Sequence, residues 1–167
     1  MAGDQREYLE LLRSSEEFHR PWGPERLPKS DPFGEHVFQR LLAHRKSEAN
    51  DSTFLCRKSD GVILASFNLN QIFRGAFQNA FLGYWIGADY ASQGYMTEGI
   101  RLLLRHAFKR VKLHRIEANI IPINLPSRSL TKSAGLRLEG LSPRYLKIAG
   151  KWQDHERWAI TIEDWRS

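Results

Sequence analysis

Seven apolar residues constrain this chain more than any other feature. Met96, Ile100, Leu103, Leu104, Ala107, Phe108 and Val111 follow one another at spacings of four, three, one, three, one and three. Only an α-helix lines that pattern up on one face, so this segment forms a helix with one side committed to a core. Arg101, Arg105, Lys109 and Lys112 fall away from the stripe, as residues of a solvated face do. Upstream, Phe81 to Gly87 reads as a strand, and a polar turn carrying Gly94 joins it to the helix. Such a junction leaves backbone N–H groups unpaired at the helix start, where the helix dipole also favours an anion. Gly94 can take the dihedrals a phosphate cradle needs, although a glycine before a helix is more often a plain turn.

The rest of the chain fits around that unit. Gln5 to about Phe18 has Tyr8, Leu11 and Leu12 on one helical face, and Arg20-Pro21-Trp22-Gly23-Pro24 ends it. Asp31-Pro32 reads as a cap and first helical residue for a second helix bearing Phe33, Val37, Leu41 and Leu42. Thr53 to Arg57 and Val62 to Leu69 are strands joined by a turn at Ser59-Asp60-Gly61. After the long helix, His114 to Ile121 alternates as a half-buried strand. Pro126 to Ala134 forms a short helix stopped by Gly135, and strands Leu138 to Ile148 and Lys151 to Ile162 meet at Ala149-Gly150. The order predicts an α/β (α+β) domain with a mixed sheet and about four helices.

Length and composition add limits. The 167 residues suit one domain spanning 1–167, and 41% hydrophobic with 26% charged residues is ordinary globular composition. No apolar run reaches the roughly 18 residues a membrane helix requires, and Met1 to Glu10 has no secretory character. A single cysteine, Cys56, suits a reducing cytoplasm and excludes a thiolate metal cluster; the His, Asp and Glu residues show no metal-ligand spacing. The net charge of +6 fits an anionic partner such as nucleic acid, a ribosome surface or a phosphorylated cofactor, or simply a basic surface.

From Glu7 to Trp165 the sequence resembles the GNAT acetyltransferase superfamily, nearest its RimJ/RimL type of ribosomal-protein N-terminal acetyltransferases. The resemblance runs through Arg20-Pro21-Trp22, Asn68, Arg74-Gly75, Leu82-Gly83-Tyr84-Trp85-Ile86-Gly87 and Gln93-Gly94-Tyr95-Met96-Thr97-Glu98. It continues in His114 to Asn119, Asn124 with Ser127, Ala134-Gly135-Leu136, Leu138-Glu139-Gly140, Tyr145-Leu146, Gly150-Lys151-Trp152 and Asp154-His155. It implies a sheet splayed at the cofactor site, acetyl-CoA as co-substrate, and no metal. Trp85 and Ile86 would pair their backbone with the pantetheine arm. Ser92, Gln93, Gly94, Tyr95, Met96 and Thr97 would hold the pyrophosphate, Asn124 the pantetheine amides, and Ser127 the region of the thioester sulfur. Read on their own, Asn124 is a turn residue and Ser127 a helix cap.

Several positions depart from the family pattern. The signature Q/R-x-x-G-x-G/A meets Ala91, Gly94 and Met96, so the long polar side chain that braces the loop is absent, with Gln93 as its substitute. Thr131 stands where some relatives carry a tyrosine acid, and Asn119 near the place of a carboxylate base, so neither role transfers. The family's usual first strand is missing, since the chain starts almost at the first helix.

The implied chemistry is direct attack of an amine on the thioester. Backbone N–H groups at the splayed end of Tyr84 to Gly87 would face the oxyanion, Ser127 or Tyr145 would give a proton to the thiolate, and Glu117 would act as base unless paired. His36, His114 and His155 are candidates by residue type alone. A protein α-amine, with a pKa of about 7.7–8.0, is far less demanding than a lysine, neutral in roughly one molecule in 2,500 near pH 7. The expected acceptor is therefore a protein N-terminus, such as that of a ribosomal protein, on a monomeric or homodimeric enzyme. A polyamine, amino sugar or antibiotic is the alternative acceptor, and a non-catalytic ribosome- or RNA-binding module the alternative class.

Overall fold

The computed structural model describes residues 2–23, 31, 33–45 and 47–165. Helices α1 (Ala2–Ser14), α2 (Glu16–His19) and α3 (Glu35–His44) precede three strands, β1 (Asp51–Cys56), β2 (Ile63–Asn70) and β3 (Asn79–Ile86). A short 3-10 turn (Ala88–Tyr90) leads into α4 (Tyr95–Lys109), followed by β4 (Arg115–Ile120), α5 (Leu125–Ser133), β5 (Arg137–Ile148) and β6 (Lys151–Thr161). The six strands form one sheet in the order β1-β2-β3-β4-β6-β5. Among the described strands only β3 and β4 run parallel, as expected of strands linked by a helical crossover. Among the described residues the sheet is therefore mixed and flanked by five helices, one of them the four-residue α2, and no strand precedes α1.

The additional helix comes from a break at Ser15. A continuous helix was expected from Gln5 to about Phe18, but Ser15 leaves helical geometry at φ −102° and ψ 8°. Its hydroxyl accepts a hydrogen bond from the Ala88 N–H at 2.8 Å, and the residue is only 1% exposed. Pairing a half-buried amide in the segment after β3 outweighs continuing the ladder of a surface helix. The second expected helix also starts later, at Glu35 behind an N-cap Gly34. Asp31 instead closes the preceding turn, its carboxylate accepting from Phe33 N–H at 2.9 Å; Pro32 and Pro24 lie outside the described residues.

The apolar stripe of α4 forms the main core. Ile100, Leu103, Leu104, Ala107 and Phe108 are buried against Ala65, Phe67, Leu69, Ala80, Leu82 and Ile86 on one side. On the other side they meet Ile116, Ala118, Ile120, Trp158 and Ile160. Each large side chain so buried contributes roughly 1.5–3 kcal/mol. Gly99 sets the approach distance, because a Cβ there would stand 2.7 Å from the Phe67 ring. A smaller cluster of Tyr8, Leu9, Phe38, Leu41 and Ile63, joined by Phe54 and Trp85, packs α1 and α3 onto the sheet. Along β3, alternation sends Ile86 to the first cluster and Trp85 to the second.

The feature that positions the site is how little of β3 pairs with β4. Their register covers only Asn79 with Arg115, Ala80 with Ile116 and Phe81 with Glu117. Beyond Phe81 the two strands diverge, while β2 stays paired with β3 through Ile86 and β6 with β4 through Ile120. The middle of the sheet opens as a wedge.

Candidate active site

The wedge exposes backbone that a closed sheet would use. Gly87 donates its N–H to the Leu64 carbonyl at 2.8 Å, which makes that facing pair a hydrogen-bonded one. Bonded and unbonded pairs alternate in an antiparallel ladder, so Ile86 opposite Ala65 and Tyr84 opposite Phe67 turn their N–H and C=O groups away from β2. Those groups face the gap beside β4. The carbonyl of Ile86 is taken by His19, whose Nε2 lies 2.7 Å away and must donate the proton. Burial pushes the His19 pKa below its ordinary value, against the opposing effect of that hydrogen bond. The neutral ring lies 5.0 Å from that of Trp85 at 33°. His19 carries no periodic or motif signal in the sequence. It reaches the site only because the break at Ser15 directs α2 across the end of β3.

The turn before α4 has the expected form. Gly94, at φ 87°, is the N-cap, and its carbonyl accepts from Thr97 N–H at 3.0 Å and Glu98 N–H at 3.2 Å. The amides of Tyr95 and Met96 precede the first bonded turn and keep their donors. Among the described residues, apart from its chain neighbours, nothing lies within 4 Å of where a Gly94 Cβ would stand, so the space in front of the glycine is open. Ser92 also takes a left-handed backbone, φ 61°. The brace lost with Ala91 comes from Gln93, whose side-chain amide donates to the Asp89 carbonyl at 2.6 Å.

Asn124 caps α5, its side-chain oxygen accepting from Ser127 N–H at 3.2 Å. That leaves the Asn124 amide nitrogen as a donor. The Ser127 carbonyl accepts from Thr131 Oγ1 at 3.0 Å and from Tyr84 OH at 3.5 Å, and the Ser127 side chain lies within hydrogen-bonding reach of the same phenol. Burial pushes the Tyr84 phenol up to about 12, so Tyr84 stays protonated throughout the physiological range.

A cavity of about 860 Å³ occupies the wedge. Trp85, Ile86, Ser92, Gly94, Met96, Thr97, Asn124 and Ser127 all line it, so residues from three distant stretches meet in one place. Gln93 and Tyr95 do not line it: the first braces the loop, and the second packs against the main core. Glu117 lies outside the lining as well, with a side chain 12% exposed and held by Arg115 Nε at 2.9 Å. Arg115 is bound in turn to Glu139. Tyr145 does not line the cavity either; it is 36% exposed, with its ring 5.8 Å from that of His155. Of the three histidines named from sequence, His36 is exposed on α3 and His114 pairs with Glu163 at 3.1 Å. His155 lines the cavity, with His19, Trp22 and Phe18.

Comparison with known proteins follows the same lines. The family model described as "Acetyltransferase (GNAT) domain" matches residues 2–137. The Bacillus subtilis (strain 168) protein "Probable N-acetyltransferase YjcK" is 42% identical over 106 residues, which is 64% of this chain and 59% of that protein. The Escherichia coli (strain K12) "[Ribosomal protein uS5]-alanine N-acetyltransferase" is 32% identical over 151 residues, 89% of this chain and 77% of that protein. Among solved structures, Mycobacterium smegmatis RimJ in complex with CoA-disulfide superposes with a TM-score of 0.87 at 28% identity, covering 98% of this chain and 79% of that one.

Proposed function

The chain belongs to the GNAT acetyltransferase family, and from that premise we propose that it transfers the acetyl group of acetyl-CoA to the N-terminal α-amine of a protein, such as a ribosomal protein. The wedge between β3 and β4 is the observation that carries this reading. It offers outward backbone groups of Tyr84 and Ile86 as a ready edge for an extended, amide-bearing ligand. The open Gly94 cradle and the start of α4 stand where an anion would be held, and Asn124 offers a donor on the opposite wall. Acetyl-CoA has those three parts: a diphosphate, an amide-bearing arm and a thioester.

The residues divide the work as follows. With its carbonyl occupied by His19, Ile86 presents its N–H at the wide end of the gap, where it donates to the oxyanion of the tetrahedral intermediate. Ser127 supplies a hydroxyl to the departing sulfur, a modest task because a thiolate is a good leaving group. Tyr145, in ring contact with the cavity residue His155, is the second candidate for that role, and Glu117, held by Arg115, is not needed. The kinship with the uS5-alanine enzyme and the readiness of α-amines to deprotonate both favour an N-terminal acceptor.

The test is a panel of peptides with free N-termini alongside polyamines, amino sugars and aminoglycosides, incubated with acetyl-CoA and read by mass. Acetylation of peptide α-amines supports the reading; reaction of the small amines alone overturns it.

A further inference from the structure

Resting on the acetyl-transfer reading, we propose that His155 removes the proton from the acceptor's ammonium group, with Asn119 as the second acceptor that orients the nitrogen. The two side chains share one face of the sheet. In the β4–β6 register Asn119 faces Arg157 and Ile120 faces Glu156. Side chains alternate along a strand, so His155, two residues from Arg157, points to the same side as Asn119. Both line the cavity in the wedge.

Their hydrogen bonding fixes what they can recognise. His155 is 2% exposed, and its Nδ1 lies 3.0 Å from the Gln153 carbonyl. A carbonyl only accepts, so Nδ1 carries the proton and Nε2 of the neutral ring carries a lone pair. Nε2 has no hydrogen-bond partner among the described residues. The side-chain oxygen of Asn119 is buried and likewise unpartnered among the described residues. A buried acceptor without a donor is costly, so Asn119 Oδ1, with the Nε2 lone pair of His155 in the same cavity, fits a ligand that brings N–H groups. A primary ammonium, with three donors, answers both. The titratable groups around His155 are Tyr145 on β5, in ring contact, His19 on α2 across the cavity, and Arg157 on its own face of β6. Asp154 is turned to the Arg144 N–H, at 2.7 Å.

The protons balance. The ammonium gives one proton to Nε2 and becomes a neutral amine. Its lone pair forms the C–N bond to the thioester carbonyl carbon, and collapse of the tetrahedral intermediate breaks the C–S bond. A second proton from nitrogen ends on the thiolate sulfur, leaving an amide with one N–H and a free thiol. His155 then releases its proton to solvent.

The experiment follows kcat/KM against pH for wild type, His155→Gln and His155→Ala, using acetyl-CoA and a peptide with an N-terminal alanine. His155→Gln should lose about 10²- to 10⁴-fold. Its remaining rate should climb tenfold per pH unit up to the pKa of the free α-amine, in place of the wild-type acidic limb. Imidazole in the buffer should restore part of the activity of His155→Ala. A His155→Gln enzyme with the wild-type rate and profile overturns the proposal, as does a loss with an unchanged pH profile and no rescue. Thermal stabilisation by acetyl-CoA separates the two levels: a wild type that neither binds it nor transfers acetyl sinks the acetyl-transfer reading itself. Should neither variant fold, ¹⁵N NMR of the wild-type imidazole decides, since an Nε2–H tautomer in the neutral ring excludes the role.

Discussion

The imidazole of His19 and the carbonyl of Ile86 meet at 2.7 Å, tying α2 to the last residue of β3 across 67 positions of sequence. That contact settles which backbone group at the open end of the strand remains available. The carbonyl is consumed, the N–H is not, and the strand end is held still beside Trp85.

His19→Phe should keep the stacking on Trp85 and lose the hydrogen bond, lowering stability by about 1 kcal/mol near neutral pH. The pH dependence has a definite sign. Burial depresses the folded-state pKa of His19, so the unfolded chain binds its proton more readily. The contribution of His19 is therefore fully present above the ordinary value of about 6.5 and is lost as pH falls through the lower folded value. Urea midpoints of wild type and His19→Phe should converge as pH drops from about 7 toward 5. A gap that widens on acidification would contradict the assignment.

Ser15→Ala removes the acceptor of the Ala88 N–H, the one it has among the described residues, leaving a half-buried amide unpaired. The expected cost is about 1–3 kcal/mol, read as a lower unfolding midpoint. Ser15→Thr retains the hydroxyl and should recover most of it. If Ser15→Ala is instead neutral because α1 and α2 fuse into one helix, Ala88 and its 3-10 turn would exchange amide hydrogens rapidly.

Gly94→Ala separates strain from occlusion. The φ of 87° costs an alanine about 1–2 kcal/mol, yet among the described residues nothing beyond its chain neighbours lies within 4 Å of the added methyl. The unliganded protein should lose only that modest stability. Acetyl-CoA affinity should fall at least tenfold, because the methyl stands in the cradle. Isothermal titration alongside thermal melts checks both halves.

Asn124 performs two tasks that different substitutions divide. Asn124→Ala should destabilise by about 1 kcal/mol through the lost cap and also weaken acetyl-CoA binding. Asn124→Asp keeps a capping oxygen but has no amide donor. It should melt near wild type while binding acetyl-CoA several-fold more weakly.

Much of the fold was legible because its signals are local. Strands β1 to β6 and helices α4 and α5 fall within two residues of the boundaries read from alternation, the 3.6-residue period and turn residues. The exceptions are the break at Ser15 and the start of α3, where a contact or turn geometry overrides the local pattern. The cavity residues Trp85, Ile86, Gly94, Thr97, Asn124 and Ser127 were reached through the family resemblance rather than from spacing, since each also has an ordinary structural reading. His19 was out of reach because its partner lies on another element.

The opening feature, the apolar stripe from Met96 to Val111, determined by itself that a helix would follow the Gly94 turn with one face sealed in a core. It fixed where a phosphate cradle could form, because the amides at a helix start are free whatever surrounds them. Which backbone groups of β3 face outward was decided only in three dimensions. It depends on the Gly87 to Leu64 hydrogen bond, on the divergence of β4 after Phe81, and on α2 turning across the end of the strand. Hydrogen-bond register and strand splay are relations between segments, and no single segment carries them.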